Sequence, residues 1–219
     1  MRNRIIHGDS ADILKSLPPA SVDLVVTDPP YLVNYRDRTG RRIANDDSPD
    51  SVLSCFADLY RVMKPDSFCV CFYGWNTVDL FLSAWKDAGF APVGHIVWHK
   101  EYASRTGYLQ ARHEQAYLLA KGRPARPGKP LPDVQPWEYT GNKWHPTEKA
   151  VSVFRPLIES FSRPGDLVLD PFSGSGSSAV AAAFAGRDYL GIELEQKYCE
   201  LARRRLSGVA RFLDLPAAA

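Results

Sequence analysis

The chain has no stretch near the about 18 consecutive apolar residues that a membrane-spanning helix requires, so a helical membrane protein is not expected. Its first residues include Arg2, Arg4, His7, Asp9 and Asp12 without an apolar segment, so no secretory signal is read and a cytoplasmic location is expected. Cysteine is scarce. Cys55, Cys69, Cys71 and Cys199 contain no C-x-x-C pair and no zinc-like spacing, and a reducing compartment fits them. Cys69 and Cys71, two apart in FCVCFYG, would share one face of a strand as small hydrophobes. An excess of one charge is missing too. With 27 Lys+Arg against 25 Asp+Glu, the net charge is +2, so an anionic partner must be met by local patches. Neither an internal repeat nor a metal-ligand set is visible. His95 and His99 have helical spacing on a segment that reads as a strand and lack a third ligand, so they read as structural.

What is present is enough for a core. The 219 residues are 45% hydrophobic and include 10 Phe, 10 Tyr and 5 Trp, which fits a single domain over 1–219. Near-continuous apolar runs at 22–28 (VDLVVTD), 68–74 (FCVCFYG) and 166–170 (DLVLD) read as strands buried on both faces. Shorter strands are expected at 4–9, 94–100, 113–121 and 187–193. Helical spacing marks 11–17, 51–63, 76–89, 148–161, 177–186 and 196–206, with Lys64-Pro65 closing the second and Pro156 kinking or bounding the fourth. Residues 122–144 hold five prolines and read as an irregular arm. Strands alternating with helices predict an α/β doubly wound sheet with helices on both faces.

Two strand ends carry the chemistry. Asp170-Pro171-Phe172-Ser173-Gly174-Ser175-Gly176 lies between a buried strand and an alanine-rich helix, where glycines let the backbone approach a ligand at the carboxyl edge of the sheet. The next strand ends in Glu193, a carboxylate suited to a ribose diol. Together they describe a site for an adenosine-type cofactor. Gly174-x-Gly176-x-x-Ala179 also satisfies the dinucleotide pattern G-x-G-x-x-A, so NAD competes on this feature alone.

At the other strand end, VDLVVT runs into Asp28-Pro29-Pro30-Tyr31. Pro-Pro can simply stop a strand. Yet Asp28 can accept one N–H of an exocyclic amine and the Pro29 carbonyl the other, with the prolines fixing the geometry and Tyr31 offering a face for a planar base. An amine on adenine or cytosine is a poor nucleophile because its lone pair is delocalised into the ring. Two acceptors that hold its protons localise that pair for in-line attack, so positioning and electrostatics supply the acceleration. Such a base must leave the duplex to arrive.

TDPPY, then HPTEK (145–149), then LDPFSGSG (169–176) resembles the DNA amino-methyltransferases of the β class, in which the catalytic motif precedes the cofactor motif. The likeness covers nearly the whole chain and is weakest over 101–144. It implies a Rossmann-like S-adenosylmethionine-dependent methyltransferase fold, a mixed, mostly parallel sheet with circularly permuted motif order and neighbouring chain ends. It implies cofactor roles for Asp9, Asp28, His145, Thr147, Lys149, Asp170, Phe172, Ser173, Gly174, Gly176 and Glu193, and catalytic roles for Asp28, Pro29, Pro30 and Tyr31. Ala150 stands where the family's HPT[EQ]KP segment usually has proline, a departure that bears on the helix entry rather than on the chemistry. DNA is the implied partner. Arg36, Arg38, Arg41 and Arg42 are candidates to grip phosphates, as are Arg123, Arg126 and Lys129 on the arm at 121–144, with Trp137, Tyr139 and Trp144, where the family places target recognition. Arg203 to Arg205 read as solvated helix surface. The arm is short, so relaxed specificity or a second subunit in a homodimer is plausible.

N6-adenine in DNA is the leading reading, because DPPY rather than SPPY favours adenine within the resemblance. N4-cytosine, or an RNA or protein amide (usually met as NPPY), are the alternatives. An NAD-dependent oxidoreductase leaves Asp28 to Tyr31 without a purpose. A non-catalytic DNA-binding module would not bind the cofactor.

Overall fold

Strands buried on both faces alternate along the chain with helices whose apolar residues line one side, and the result is one large sheet sandwiched between two helix layers. The computed structural model describes residues 1–35, 40, 44–141 and 145–213. In chain order its first elements are β1 (Arg4–His7), α1 (Ser10–Ser16), β2 (Val22–Thr27), α2 (Pro49–Leu53), α3 (Cys55–Val62), β3 (Met63–Phe72) and α4 (Val78–Asp87). There follow β4 (Ala91–His99), a small hairpin of β5 (Arg105–Thr106) and β6 (Gln110–Ala111), β7 (His113–Lys121) and β8 (Val134–Pro136). The chain closes with α5 (Val151–Phe161), β9 (Leu167–Asp170), α6 (Ser177–Phe184), β10 (Asp188–Glu193) and α7 (Gln196–Leu213).

The eight-stranded sheet has the order β1-β10-β9-β2-β3-β7-β4-β8. All neighbours are parallel except that β7 runs antiparallel to both β3 and β4. The permuted order is therefore physical: β1, first in the chain, pairs with β10, nearly last. Asn3 N–H donates to the Tyr189 carbonyl, and the Arg203 guanidinium on α7 donates to the Ile5 carbonyl at 2.7 Å.

Alternation along the strands assigns the two cores. Val25, Cys69, Cys71, Leu169 and Ile192 face Leu14, Phe56, Leu59, Phe81 and Trp85 of α1, α3 and α4. Leu24, Val26, Val70, Phe72, Trp98 and Val168 face Phe154, Leu157, Ile158 and Ala181 of α5 and α6. Burying a Leu- or Phe-sized side chain contributes about 2 kcal/mol, so both layers are needed to hold the central strands. The four cysteines are buried free thiols, Cys55, Cys69 and Cys71 in the first of these cores and Cys199 in a third cluster of α6, α7 and β1.

Several expectations are corrected. The helix expected at 51–63 is two, divided at Ser54, and Lys64-Pro65 lies inside β3, where the register to β2 shifts and Asp66 takes a φ of 56°. Pro65 is tolerated there because the ladder is already interrupted by that irregularity. Helix α5 runs through Pro156; the ring removes one amide donor, while Val153, Phe154, Leu157 and Ile158 keep that face buried. The arm after β7 is not wholly irregular, since Val134–Pro136 pairs with Val97–His99 as the last strand of the sheet. No helix among the described residues is long and apolar enough to cross a membrane.

Candidate active site

The carboxyl ends of β1, β10, β9 and β2 lie at one edge of the sheet, and each delivers a functional residue to a single cavity of about 1080 Å³. That exceeds the upper part of the usual range for one small ligand, about 300–1,000 Å³, and suits two occupants side by side.

At one end of the cavity, β9 finishes in Asp170. Its Oδ1 accepts from Thr27 Oγ1 at 3.0 Å and Phe172 N at 3.1 Å, and its Oδ2 accepts from Ser178 Oγ at 2.5 Å. Burial pushes this carboxyl up to about 6, against the pull of those three donors. Asp170 thus shapes the turn from within. Ser10 Oγ on α1 donates to the Pro171 carbonyl and fixes the turn from the other side.

Gly174 and Gly176 serve different ends. At Gly176 (φ 80°) an added Cβ would lie 2.7 Å from Ala202 Cβ on α7, so this glycine permits helix packing. At Gly174 (φ 51°) the nearest atoms to such a Cβ belong to the His145 ring, 3.7 Å away, so its backbone faces open cavity. The Gly174 amide donates to Glu193 Oε2 at 2.8 Å, and the Glu195 amide to Glu193 Oε1 at 2.7 Å. A carboxylate has about four lone-pair sites, so Glu193 keeps acceptor capacity for a ribose hydroxyl. Burial raises its carboxyl above the ordinary value, so it binds such donors best once the pH is above that raised value. Asp9, at the end of β1, caps α1 through Ala11 N at 2.8 Å and lies in the same cavity wall, as do Phe172 and Ser173. The open face at Gly174, the spare acceptors of Glu193 and the position of Asp9 fit a nucleoside-bearing cofactor.

At the other end, β2 delivers Asp28, with Pro29 and Pro30 buried behind it. Tyr31 Oη donates to Asp28 Oδ1 at 2.9 Å, and Lys149 Nζ donates to Asp28 Oδ2 and, at 3.1 Å, to Tyr31 Oη. The Lys149 side chain is 5% exposed, and its ammonium sits 4.7 Å from the Phe72 ring centroid. Burial raises the Asp28 carboxyl, while the Lys149 charge opposes that shift. Burial and the Asp28 charge hold Tyr31 as a phenol, well above its ordinary value. Each Asp28 oxygen keeps further acceptor capacity, and Asp28 lines the cavity.

HPTEK thereby splits. His145 packs edge-on against Tyr198, with ring centroids 4.4 Å apart, and its Nδ1 lies 3.3 Å from both the Thr147 amide and hydroxyl beside the glycine turn. Lys149 instead reaches Asp28, so the segment ties the two halves of the cavity together. Lys149→Met is expected to raise the Asp28 carboxyl further, because the lowering influence is lost. The acid limb of a pH–rate profile should then move to higher pH, with activity partly recovered as pH rises; an unmoved limb would exclude this coupling.

Residues 22–204 match the DNA methylase family, more than four-fifths of the chain. The chain belongs to the DNA methylase family. It is 52% identical over 216 residues to YubD of Escherichia coli (strain K12), whose own methylase assignment is provisional, covering 99% of this chain and 95% of that one. It is 27% identical to the type II methyltransferase M2.DpnII of Streptococcus pneumoniae, covering 92% of this chain and 88% of that one. The crystal structure of the M1.HpyAVI–SAM complex superposes with a TM-score of 0.75 at 25% identity, covering 93% of this chain and 98% of that chain.

Within this DNA methylase several site residues carry no sequence motif. Lys100, at the end of β4 and 3% exposed, pairs with Glu114 of β7 in the cavity wall, its ammonium 5.1 Å from the Trp137 ring centroid. Asp46, 3% exposed, accepts from the Leu32 and Tyr35 amides and pins the chain leaving Tyr31. Arg205 was expected to be solvated; instead it donates to the Ser175 carbonyl at 2.7 Å, Ser175 Oγ at 2.9 Å and Ser177 Oγ at 3.1 Å, with Glu148 Oε1 at 3.4 Å. Arg203 and Arg204 are exposed as expected, although Arg203 also donates to the Ile5 carbonyl. The correction at Arg205 arises because α7 packs across α6 and β1, which a helix read in isolation does not reveal. Arg205→Met is expected to cost about 2–3 kcal/mol, lowering the unfolding midpoint by several degrees and weakening cofactor binding. Thermal unfolding with and without cofactor checks it.

The basic candidates of the arm separate from the cavity. Arg36, Arg38, Arg41 and Arg42, and also Trp144, lie outside the described residues. Arg123, Arg126 and Lys129 are exposed, but β7 runs antiparallel, so they follow its far end, where the Arg123 amide donates to Asp66 at the start of β3. Among the described residues of the arm, it is Trp137, Tyr139 and Gly141 that line the cavity. His95 hydrogen-bonds Tyr73 Oη at 2.9 Å, and His99 lies 3.6 Å from Glu101.

Proposed function

We propose that the chain transfers a methyl group from S-adenosylmethionine to the exocyclic N6 amine of adenine in DNA, acting on a base turned out of the duplex. The observation that carries this reading is that Asp28-Pro29-Pro30-Tyr31 opens into the same cavity as Gly174, Glu193 and Asp9. S-adenosylmethionine supplies, when bound, a methyl group on a positively charged sulfur.

Glu193 would accept a ribose hydroxyl, Asp9 would meet the adenine ring, and Gly174 would give the cofactor room against the backbone. His145 and Thr147 border the reactive end. Asp28 accepts one amine proton, the Pro29 carbonyl accepts the second, and Lys149 keeps Asp28 in its carboxylate form. On methylation the amine must give up one proton, which the Asp28 carboxylate would take up. Tyr31 stays a phenol throughout and orients Asp28. The aspartate at position 28 supports adenine over cytosine within the family resemblance.

The test is nucleoside mass spectrometry on unmodified plasmid DNA incubated with S-adenosylmethionine and either the natural chain or Asp28→Ala. N6-methyladenine formed only by the natural chain is the expected result. N4-methylcytosine would keep the chemistry and correct the base. Cofactor binding with unmodified DNA would overturn the choice of substrate.

A further inference from the structure

Strands β4 and β7 do not end at their last sheet pair, His99 with His113. The ladder continues through Lys100 N–H to the Arg112 carbonyl at 2.8 Å and Ser104 N–H to the Ala111 carbonyl at 2.9 Å, then through the pairs Arg105–Ala111 and Thr106–Gln110. Because β7 is antiparallel, this extension rises at the cavity edge of the sheet. Its neck is braced by Arg112, which donates to the Lys100 and Glu101 carbonyls at 3.4 and 3.3 Å. Ser104 and Arg105 belong to the cavity wall. The tip turns at Gly107, whose amide donates to the Leu109 carbonyl at 3.1 Å.

That tip carries Tyr108, fully exposed, and Leu109, 84% exposed, side by side. Single exposed apolar residues are ordinary, but an aromatic and an aliphatic together at the end of a braced hairpin, beside a cavity for a flipped base, are a surface awaiting a partner. From Arg105 to Tyr108 an extended chain spans about 10 Å, so the tip stands within a few base-pair spacings of the cavity mouth. Arg105 has no ion-pair partner among the described residues and is free to meet a backbone phosphate.

We propose that this hairpin is a wedge: Tyr108 and Leu109 enter the base stack at the place vacated by the target base, and Arg105 anchors the neighbouring phosphate. A base leaving a duplex sacrifices pairing and stacking, and an apolar or aromatic side chain inserted in its place restores part of the lost stacking. The proposal rests on the reading that this chain methylates a flipped base. It goes beyond that reading by naming the surface that makes a duplex, rather than a single strand, an accessible substrate.

The experiment compares methylation rates of the natural chain, the double variant Tyr108→Ala/Leu109→Ala, and Val93→Ala. Val93 is an exposed residue near the far end of β4 and serves as the surface control. Each is assayed on a duplex, on its single strands, and on the duplex with an abasic site opposite the target base. The double variant is expected to lose about 10–100-fold on the duplex while keeping its single-strand rate, with much of the loss restored by the abasic partner. Parallel losses on duplex and single strand, or no loss on either, would overturn the wedge. So would a natural chain that methylates single strands alone. A natural chain that methylates none of the substrates would overturn the methylation reading itself, and the wedge with it.

Discussion

Asp28→Ala is expected to reduce methyl transfer by about 10³-fold or more while leaving the affinity for S-adenosylmethionine within a few-fold of the natural chain. Removal of one preorganised hydrogen-bonding group that stabilises developing charge, measured for oxyanion donors, typically costs about 10²–10³ in rate. Here the same deletion leaves the Lys149 ammonium, 5% exposed, without the carboxylate it pairs with. It also leaves the Tyr31 hydroxyl without its acceptor. The acceleration assigned to Asp28 comes from drawing the amine lone pair out of conjugation, a role that bulk water cannot fill in a buried pocket. Cofactor affinity should persist because the hydrogen bonds of Glu193, Gly174 and Asp9 are made to one another's turns and to α1, not to Asp28, and these residues follow other strands. Single-turnover kinetics with isothermal titration of the cofactor provide the check. Equal loss of both would show that Asp28 belongs to the cofactor half. Asp28→Asn keeps the shape and one acceptor, so it should fall between the two and guard against a folding artefact.

Glu193→Ala should act on the opposite half. The carboxylate clamps the Gly174 and Glu195 amides and keeps acceptor capacity for a ribose hydroxyl. Hydrogen bonds to a charged acceptor are worth about 1.5–3 kcal/mol each, so losing the ribose contact and loosening the turn should weaken the cofactor by about 100-fold or more. At saturating cofactor the rate on DNA should recover to within several-fold, because Asp28, Lys149 and Tyr31 remain in place. Unchanged cofactor affinity would refute the assignment. A pH dependence accompanies it: burial raises the Glu193 carboxyl above its ordinary 4.5, so the ribose acceptor is lost as pH falls through that raised value. The Glu193→Gln variant should show a weaker dependence over the same range.

Much of this architecture was legible from residue order. VDLVVT, FCVCF and LVLD are buried on both faces and lie in the middle of the sheet, because such runs satisfy their surroundings only between two helix layers. The permutation could be anticipated too, since the helix after the second cofactor strand needs a further strand to pack on, and the N-terminal RIIH supplies it.

Other features depended on contacts that no local pattern encodes. Lys100 and Glu114 are 14 residues apart and meet only because β4 and β7 pair antiparallel. Lys149 is 121 residues from Asp28, and its recruitment to the carboxylate rather than to the cofactor half follows from the path of the chain across the cavity. Arg205 looks like any arginine on an amphipathic helix until α7 is laid over the glycine turn. The division of the arm at 121–144 into a remote basic part and a cavity-lining aromatic part turns on the direction of one strand.

By itself, then, the amino-acid sequence determined the class of fold, the two strand ends that bear the chemistry and the kind of group each could hold. Those follow from side-chain chemistry and from periodicities of two and 3.6 residues, which are local. Only the tertiary structure decided which charge opposes which, which arginines brace the turn and which hairpin stands at the mouth of the cavity. Coulombic and hydrogen-bonding partners are chosen by distances of a few ångströms in space, and residues 100 or more apart in the chain acquire such distances only when the sheet is assembled.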